Sequence, residues 1–348
     1  MTISKKQFFF NIINGMATGI VVALIPNALL GELFKYLVTV WPALSIVSQA
    51  LVLFQFCASL FIGALVAYQF KMNAVQTAIV AGASFVGSGA AVMKNGAFTL
   101  VGIGDLINIM LVVTLSVAII LALGSKMGSL NIVFLPVLAG VIPGIVGLLT
   151  LPYVRMVTGT LGQMVEHFTT LNPLLMCILI CVTYSMLMAS PISLVAIATV
   201  ISLSGLGSGA ANLGIAACCY TFIFGSWFVN SKGVNTTLVI GAAKMMMPVL
   251  FKNPVIFVAL LLNGIVGGLC TYFFNIQGTP MSAGFGYTGL VGPINAFALM
   301  DGSTMSRIIN LLFAYLIIPV PMAFIIHMIL KKILPGYRDE VYRFTPEA

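Results

Sequence analysis

The sequence predicts an all-α polytopic membrane protein of about ten transmembrane helices, with broken helices, re-entrant hairpins and an internal repeat. Three observations predict it. Of 348 residues, 61% are hydrophobic and only 6% are charged, too little polar surface for a soluble domain of this length. Apolar windows of about 20 residues, the length that crosses a bilayer core, recur from Phe8 almost to Leu330. Between some of them lie stretches dense in glycine and proline but bare of charge, such as NIQGTPMSAGFGYTGLVGPINAF at 275–297, with five glycines and two prolines.

The elements follow in order. Lys5 and Lys6 precede the first apolar run, but no small-x-small cleavage site follows, so 7–25 reads as a retained first helix. Residues 26–47 are interrupted by Trp41-Pro42 and read as an interfacial or half-crossing helix. Further spans are expected near 48–70, 74–93, 103–124, 132–152, 172–190, 192–211, 214–230, 254–275 and 306–330. Residues 153–171 mix charge with an apolar face and read as an amphipathic connector. Residues 236–251 are shorter and contain Lys244 and Pro248. The domain reading is a single permease domain over 1–330, then a basic cytoplasmic tail over 331–348.

The net charge of +8 comes from 15 basic residues scattered mostly singly between apolar runs. That distribution gives no nucleic-acid-binding surface. The clusters at Lys5/Lys6 and in KKILPGYRDEVYR place both termini in the cytoplasm by the positive-inside rule, which requires an even number of crossings. All six cysteines lie in apolar runs. Cys177 and Cys181 are one helical turn apart, but no histidine or carboxylate is near in sequence to complete a site, so no metal is expected. No cofactor is expected either, and a GxxxxGK[ST] nucleotide loop is absent.

The chain repeats itself. GSGAA occurs at 87–91 and 207–211, and GIVG at 144–147 and 264–267, both offset by 120 residues. The repeats would cover 74–152 and 194–272. A third echo, KNGAFTLVGIG from Lys94 and KGVNTTLVIGAA from Lys232, is offset by 138. Transporters are commonly built from such repeats, with the solute at their interface. Close packing of small residues also makes Gly/Ala-rich helices look alike.

Three stretches read as broken helices: 86–105, then 204–216 followed by 230–237, and a re-entrant hairpin over 275–300. In hydrocarbon, non-helical backbone survives only where protein covers it or it lines a watery cavity. Uncharged polar residues gather there. The expected solute-binding set is Ser88, Lys94, Asn95, Asn212, Lys232, Asn235, Gln277, Thr279 and Asn295, alongside Ser208, Asn230, Thr236, Thr237, Ser282 and Tyr287. Asn and Gln both donate and accept, as every sugar hydroxyl does. Each of these residues singly could instead cap a broken helix end. Lys94 and Lys232 could attract a phosphorylated partner or product.

The acids are weighed one by one, because an intramembrane carboxylate is a functional candidate by default. Glu32 has Lys35 three residues on and reads as an ion pair. Asp105 reads as an N-cap, with Asn108 one turn later. Asp301 also precedes a helix. Glu166-His167 is the acid beside a histidine, and His327 lies near the interfacial end of the last span. Glu166, His167 and Asp105 are the candidates for proton handling.

With GSGAA and KNGAFTLVGIGD, GLGSGAAN and NSKGVNTT, and above all GTPMSAGFGYTGLVGPINA in this order, the chain resembles the type-2 EIIC family of the sugar phosphotransferase system, which includes the perfringolysin regulator-like membrane proteins. The likeness runs over roughly residues 8 to 330. It implies a homodimeric permease subunit, in the bacterial cytoplasmic membrane, that carries a carbohydrate inward. The sequence shows no EIIA or EIIB portion, so the resemblance implies separate EIIB and EIIA proteins for any sugar phosphorylation. The hairpin GTPMSAGFGYTG has no acid, unlike the Glu-containing hairpin of better-known sugar permeases. Two other readings stand beside it: an ion-coupled secondary transporter of another small polar or anionic solute, and a membrane sensor or regulator that binds such a ligand.

Overall fold

Side chains this apolar leave the backbone no solvent for its own polar groups, and the chain satisfies them as helices. The computed structural model describes residues 3–123 and 130–344, and the chain divides into two compact units, Met1–Val157 and Thr158–Thr345.

In the first unit, α1 (Lys5–Val40) starts where Ser4 Oγ accepts the Gln7 amide. It then runs through Pro26 and stops at Trp41, before Pro42. The separate half-crossing helix expected over 26–47 is therefore not formed. Pro26 removes one backbone hydrogen bond, and the turn continues. Asn27 beside it donates to Gln55 of α2 (Ser45–Phe56). The pair α2 and α3 (Ala58–Gln69) is bent by 46°. α4 (Ala74–Gly87) opens with a capping box between Asn73 and Gln76. It is tied to α3 by Ser84 Oγ, which donates to the Ser59 carbonyl at 2.7 Å.

The broken helix expected at 86–105 is a β-hairpin. β1 (Ala91–Lys94) pairs antiparallel with β2 (Ala97–Leu100), Lys94 opposite Ala97. Asn95 and Gly96 form the two-residue turn with φ of 51° and 79°, the geometry that an Asn-Gly pair favours. α5 (Leu106–Leu123) follows. Asp105 caps it as expected, its Oδ1 accepting the Asn108 amide at 2.9 Å. After α6 (Asn131–Leu135) and a π-helical stretch at Pro136–Val141 comes α7 (Ile142–Phe168), within which the unit boundary falls. The connector expected at 153–171 is mostly the continuation of this helix. Asn108 is the buried knot of the first unit. Its Nδ2 donates to the carbonyls of Gly87 (2.5 Å) and Gly147 (2.8 Å), and its Oδ1 accepts from Thr150.

The second unit contains α8 (Pro173–Met188), α9 (Leu194–Val200), α10 (Gly205–Ser226), α11 (Lys232–Val239), α12 (Met247–Lys252), α13 (Ile256–Phe273), α14 (Val291–Leu299), α15 (Thr304–Leu312) and α16 (Pro319–Ile333). α10 is its core. Its apolar window is 94% buried, against 50% for α13 and 22% for Thr304–Ile333. The spans expected at 192–211 and 214–230 are thus divided differently: α9 is short, 201–204 is a break, and GLGSGAAN is the first third of one continuous helix. Small residues there mark close approach, since a Cβ at Gly209 would overlap the Ile276 carbonyl.

Among the described residues six helices are long and apolar enough to cross a membrane, or up to seven if the bent pair is one span. Ala74–Gly87, Pro173–Met188 and Thr288–Leu299 are shorter apolar helices. The surface pair expected between Glu32 and Lys35 is present at 3.4 Å. Asp301 is exposed, and the cap of α15 is Ser303 instead.

The chain after α16 does not hang free. Tyr342 is fully buried against Gly225 of α10. Asn230 Nδ2 donates to its carbonyl at 2.8 Å, and Asn253 Nδ2 donates to that of Val341 at 2.7 Å. His327, expected at an interface, is buried and bridges Tyr337 (3.0 Å) and Asp339 (2.8 Å). Lys331 Nζ completes the set at 2.6 Å from Asp339.

Candidate functional site

Three stretches of non-helical backbone meet α10 in the second unit. The first is 189–193, between α8 and α9; the second is 240–242, after α11; the third is 274–287, after α13. Each leaves amides and carbonyls that a helix would have paired, and hydrogen bonds show where they go.

The third stretch is the charge-free segment singled out in the sequence, and it is latched to α10 at both ends. Gly205 and Gly278 exchange two backbone hydrogen bonds at 2.9 and 3.0 Å. Ser208 Oγ donates to the Thr279 carbonyl at 2.8 Å. One turn further along the helix, Asn212 Oδ1 accepts the Gly286 amide at 3.0 Å. Within the hairpin, Thr279 and Ser282 bond each other's backbone, and Thr279 Oγ1 donates to Asn295 Oδ1 of α14 at 3.3 Å.

The second stretch is fastened to the same hairpin. Tyr287 Oη donates to the Leu238 carbonyl at 3.3 Å, and Thr288 Oγ1 to that of Gly241 at 3.4 Å. The Tyr287 ring stacks on Tyr220 of α10 at 5.4 Å and 12°. The first stretch is joined through Lys244, whose Nζ donates to the carbonyls of Ser190 (2.9 Å) and Ile192 (2.8 Å).

The expected residues distribute unevenly over this arrangement. Thr279 and Asn295 are bonded to each other, and Asn212 holds Gly286 of the same hairpin; Gln277 is half-buried, its Nε2 3.5 Å from Asn275 Oδ1. Asn235 and Lys232 do not join them. Asn235 Nδ2 donates to Trp227, past the opposite end of α10, and Lys232 is exposed in the first turn of α11. With 22 residues in α10, the two ends lie about 30 Å apart. Ser88, Lys94 and Asn95 belong to the first unit. Ser88 is buried and bonds its own turn, accepting the Ala90 amide and donating to Phe85, while Lys94 and Asn95 are exposed at the hairpin tip. Glu166 and His167 are both exposed. Glu166 borders a cavity of ≈ 330 Å³ with Thr169, Ser202 and Ser204, beside the first turn of α10.

Two features go beyond the expected site residues, one a residue missing from them and the other a property of a residue among them. One is Lys244, a single cation in an apolar run; its Gly-Ala-Ala-Lys context gave no sign that it would reach another break. The other is the free donor of Asn212, whose fully buried Nδ2 has no hydrogen-bond partner. Other buried polar atoms of this unit, Asn235 Oδ1 and Tyr315 Oη among them, share that state.

The fold defines a polytopic helical membrane protein in which non-helical backbone is fastened to a buried helix. The chain matches the model of the family described as phosphotransferase system, EIIC, over residues 10–344, and it belongs to that family. It is therefore a membrane permease subunit of a phosphotransferase system, as the resemblance in its motifs implied. No match was found among curated proteins or among solved structures.

Proposed function

We propose that the chain carries a carbohydrate across the bacterial cytoplasmic membrane and holds it where the 275–290 hairpin docks on α10. The observation that carries this reading is the double latch, Gly205–Gly278 and Asn212–Gly286, which fixes non-helical backbone against the most buried helix. A fixed hairpin presents Gln277, Thr279 and Asn295 without paying for their ordering at the moment of binding. These groups both donate and accept, and none is charged, which suits a polyol.

Any phosphorylation of the sugar is a step for EIIB and EIIA partners of the family; the 275–290 hairpin itself carries no acid or histidine to assist it. Both termini are proposed to be cytoplasmic, and the working unit to be a homodimer. A thermal-shift screen on purified protein tests the reading, since a ligand at 100 times its dissociation constant adds about 2.7 kcal/mol. Sugars should raise the melting temperature of the wild type and leave a Gln277→Ala, Asn295→Ala double variant unmoved. Equal shifts in both would refute the placement.

A further inference from the structure

Lys244 is the ionisable group that this reading leaves unused. It is half-buried, between the buried Ala243 and the buried Met245 and Met246. It lies within electrostatic reach of Cys218, well inside the length of α10. α10 is long and apolar enough to cross a bilayer core, and beside such a helix an unpaired charge costs several kcal/mol.

Its compensation is incomplete. An ammonium has three donors; the carbonyls of Ser190 and Ile192 take two. Both carbonyls are neutral. Among the described residues no carboxylate lies within 4.0 Å of Nζ. The acids of the second unit are placed elsewhere: Asp339 holds His327 and Lys331, Glu340 faces Arg338, and Glu166 and Asp301 are exposed. The hairpin fastened beside Lys244 carries no charge at all. Among the described residues, none supplies a counter-charge.

We propose that Lys244 is the receptor for an oxyanion on the solute, so that the carbohydrate bound here is an acidic or phosphorylated sugar and not a neutral one. The inference rests on the permease reading and adds the class of its solute. The ammonium supplies one charge-assisted hydrogen bond to a carboxylate or phosphate oxygen, from beside the 240–242 break to which Thr288 of the hairpin is bonded. A purely structural lysine, tying 189–193 in place, would show no preference between neutral and anionic sugars.

Calorimetric titration of purified protein with hexoses, the matching hexuronates and the hexose 6-phosphates separates these cases. The wild type should bind one anionic series at least about tenfold more tightly than the neutral one. Which series it is distinguishes a carboxylate on the solute from a phosphoryl group. Lys244→Gln keeps donors for Ser190 and Ile192 without the charge and should erase the preference, whereas Lys244→Arg should retain it. A wild type that binds neutral hexoses as well as or better than the anions overturns the inference and leaves the permease reading standing, and this holds even if Lys244→Gln does not fold. A Lys244→Gln protein with undiminished anion preference also overturns it. Binding of no sugar in any series overturns both.

Discussion

Asn212, two turns into the most buried helix, accepts the backbone amide of Gly286 at 3.0 Å and leaves its own Nδ2 without a partner. One side chain thus fixes the tip of a non-helical segment and keeps a donor in reserve. Asn212→Ala should strand the Gly286 amide. A buried unsatisfied donor costs about 1–3 kcal/mol, so the melting temperature should fall and any sugar-induced shift should vanish with it. Asn212→Asp keeps an acceptor for Gly286 and should retain more of the stability than alanine does.

Gly209 makes the same point through packing. Alanine there would drive its Cβ into the Ile276 carbonyl, whereas Gly159 in α7 has nothing within 4 Å of its Cβ position. Gly209→Ala should destabilise the protein and displace the hairpin. Gly159→Ala should be neutral or stabilising by about 0.5–1 kcal/mol, since glycine is the poorer helix former. Melting curves of the two variants decide it.

The contrast between these two glycines shows what the sequence can tell. Composition alone establishes the membrane class, and the charge-free 275–297 stretch declares itself a break. GSGAAN does not, because small residues serve a broken backbone and a tightly packed helix equally well. Only the partner, here Ile276 some 67 residues further on, decides which. KNGA at 94–97 carried the Asn-Gly signal of a tight hairpin, but its flanks are as apolar as a span. The link from Lys244 to 189–193 was invisible because its partners lie in another break, across the fold and not along the chain.

In the first unit, Asn108→Ala should release the carbonyls of Gly87 and Gly147 and the Thr150 hydroxyl together. The expected loss is again about 1–3 kcal/mol. Asn108→Asp should do no better, since it has no amide donor for the two carbonyls. Thermal unfolding of both variants checks this.

The chain after α16 responds to pH through Asp339. Partial burial opposes its charge, but hydrogen bonds from Lys331 and His327 outweigh that and hold its pKa below the ordinary 3.8. A carboxyl lowered in this way contributes stability above pH 3.8 and loses it as pH falls through the lower folded value. Protection of 334–344, measured against the unfolded chain at the same pH, should therefore lose the Asp339 contribution as pH drops below about 4. Asp339→Asn should exchange faster at neutral pH and show little of that acid response. Tyr342→Ala, removing a fully buried ring, should free the segment at every pH.

The central claim is the location of the solute, and hydrogen exchange with a bound sugar tests it most directly. Purified wild-type protein would be compared with and without the sugar that gives the largest thermal shift. The account predicts slowed exchange at 205–212, 238–244 and 275–290, where the breaks meet α10. Protection confined to residues 86–105 of the first unit, with no change at 275–290, would contradict it.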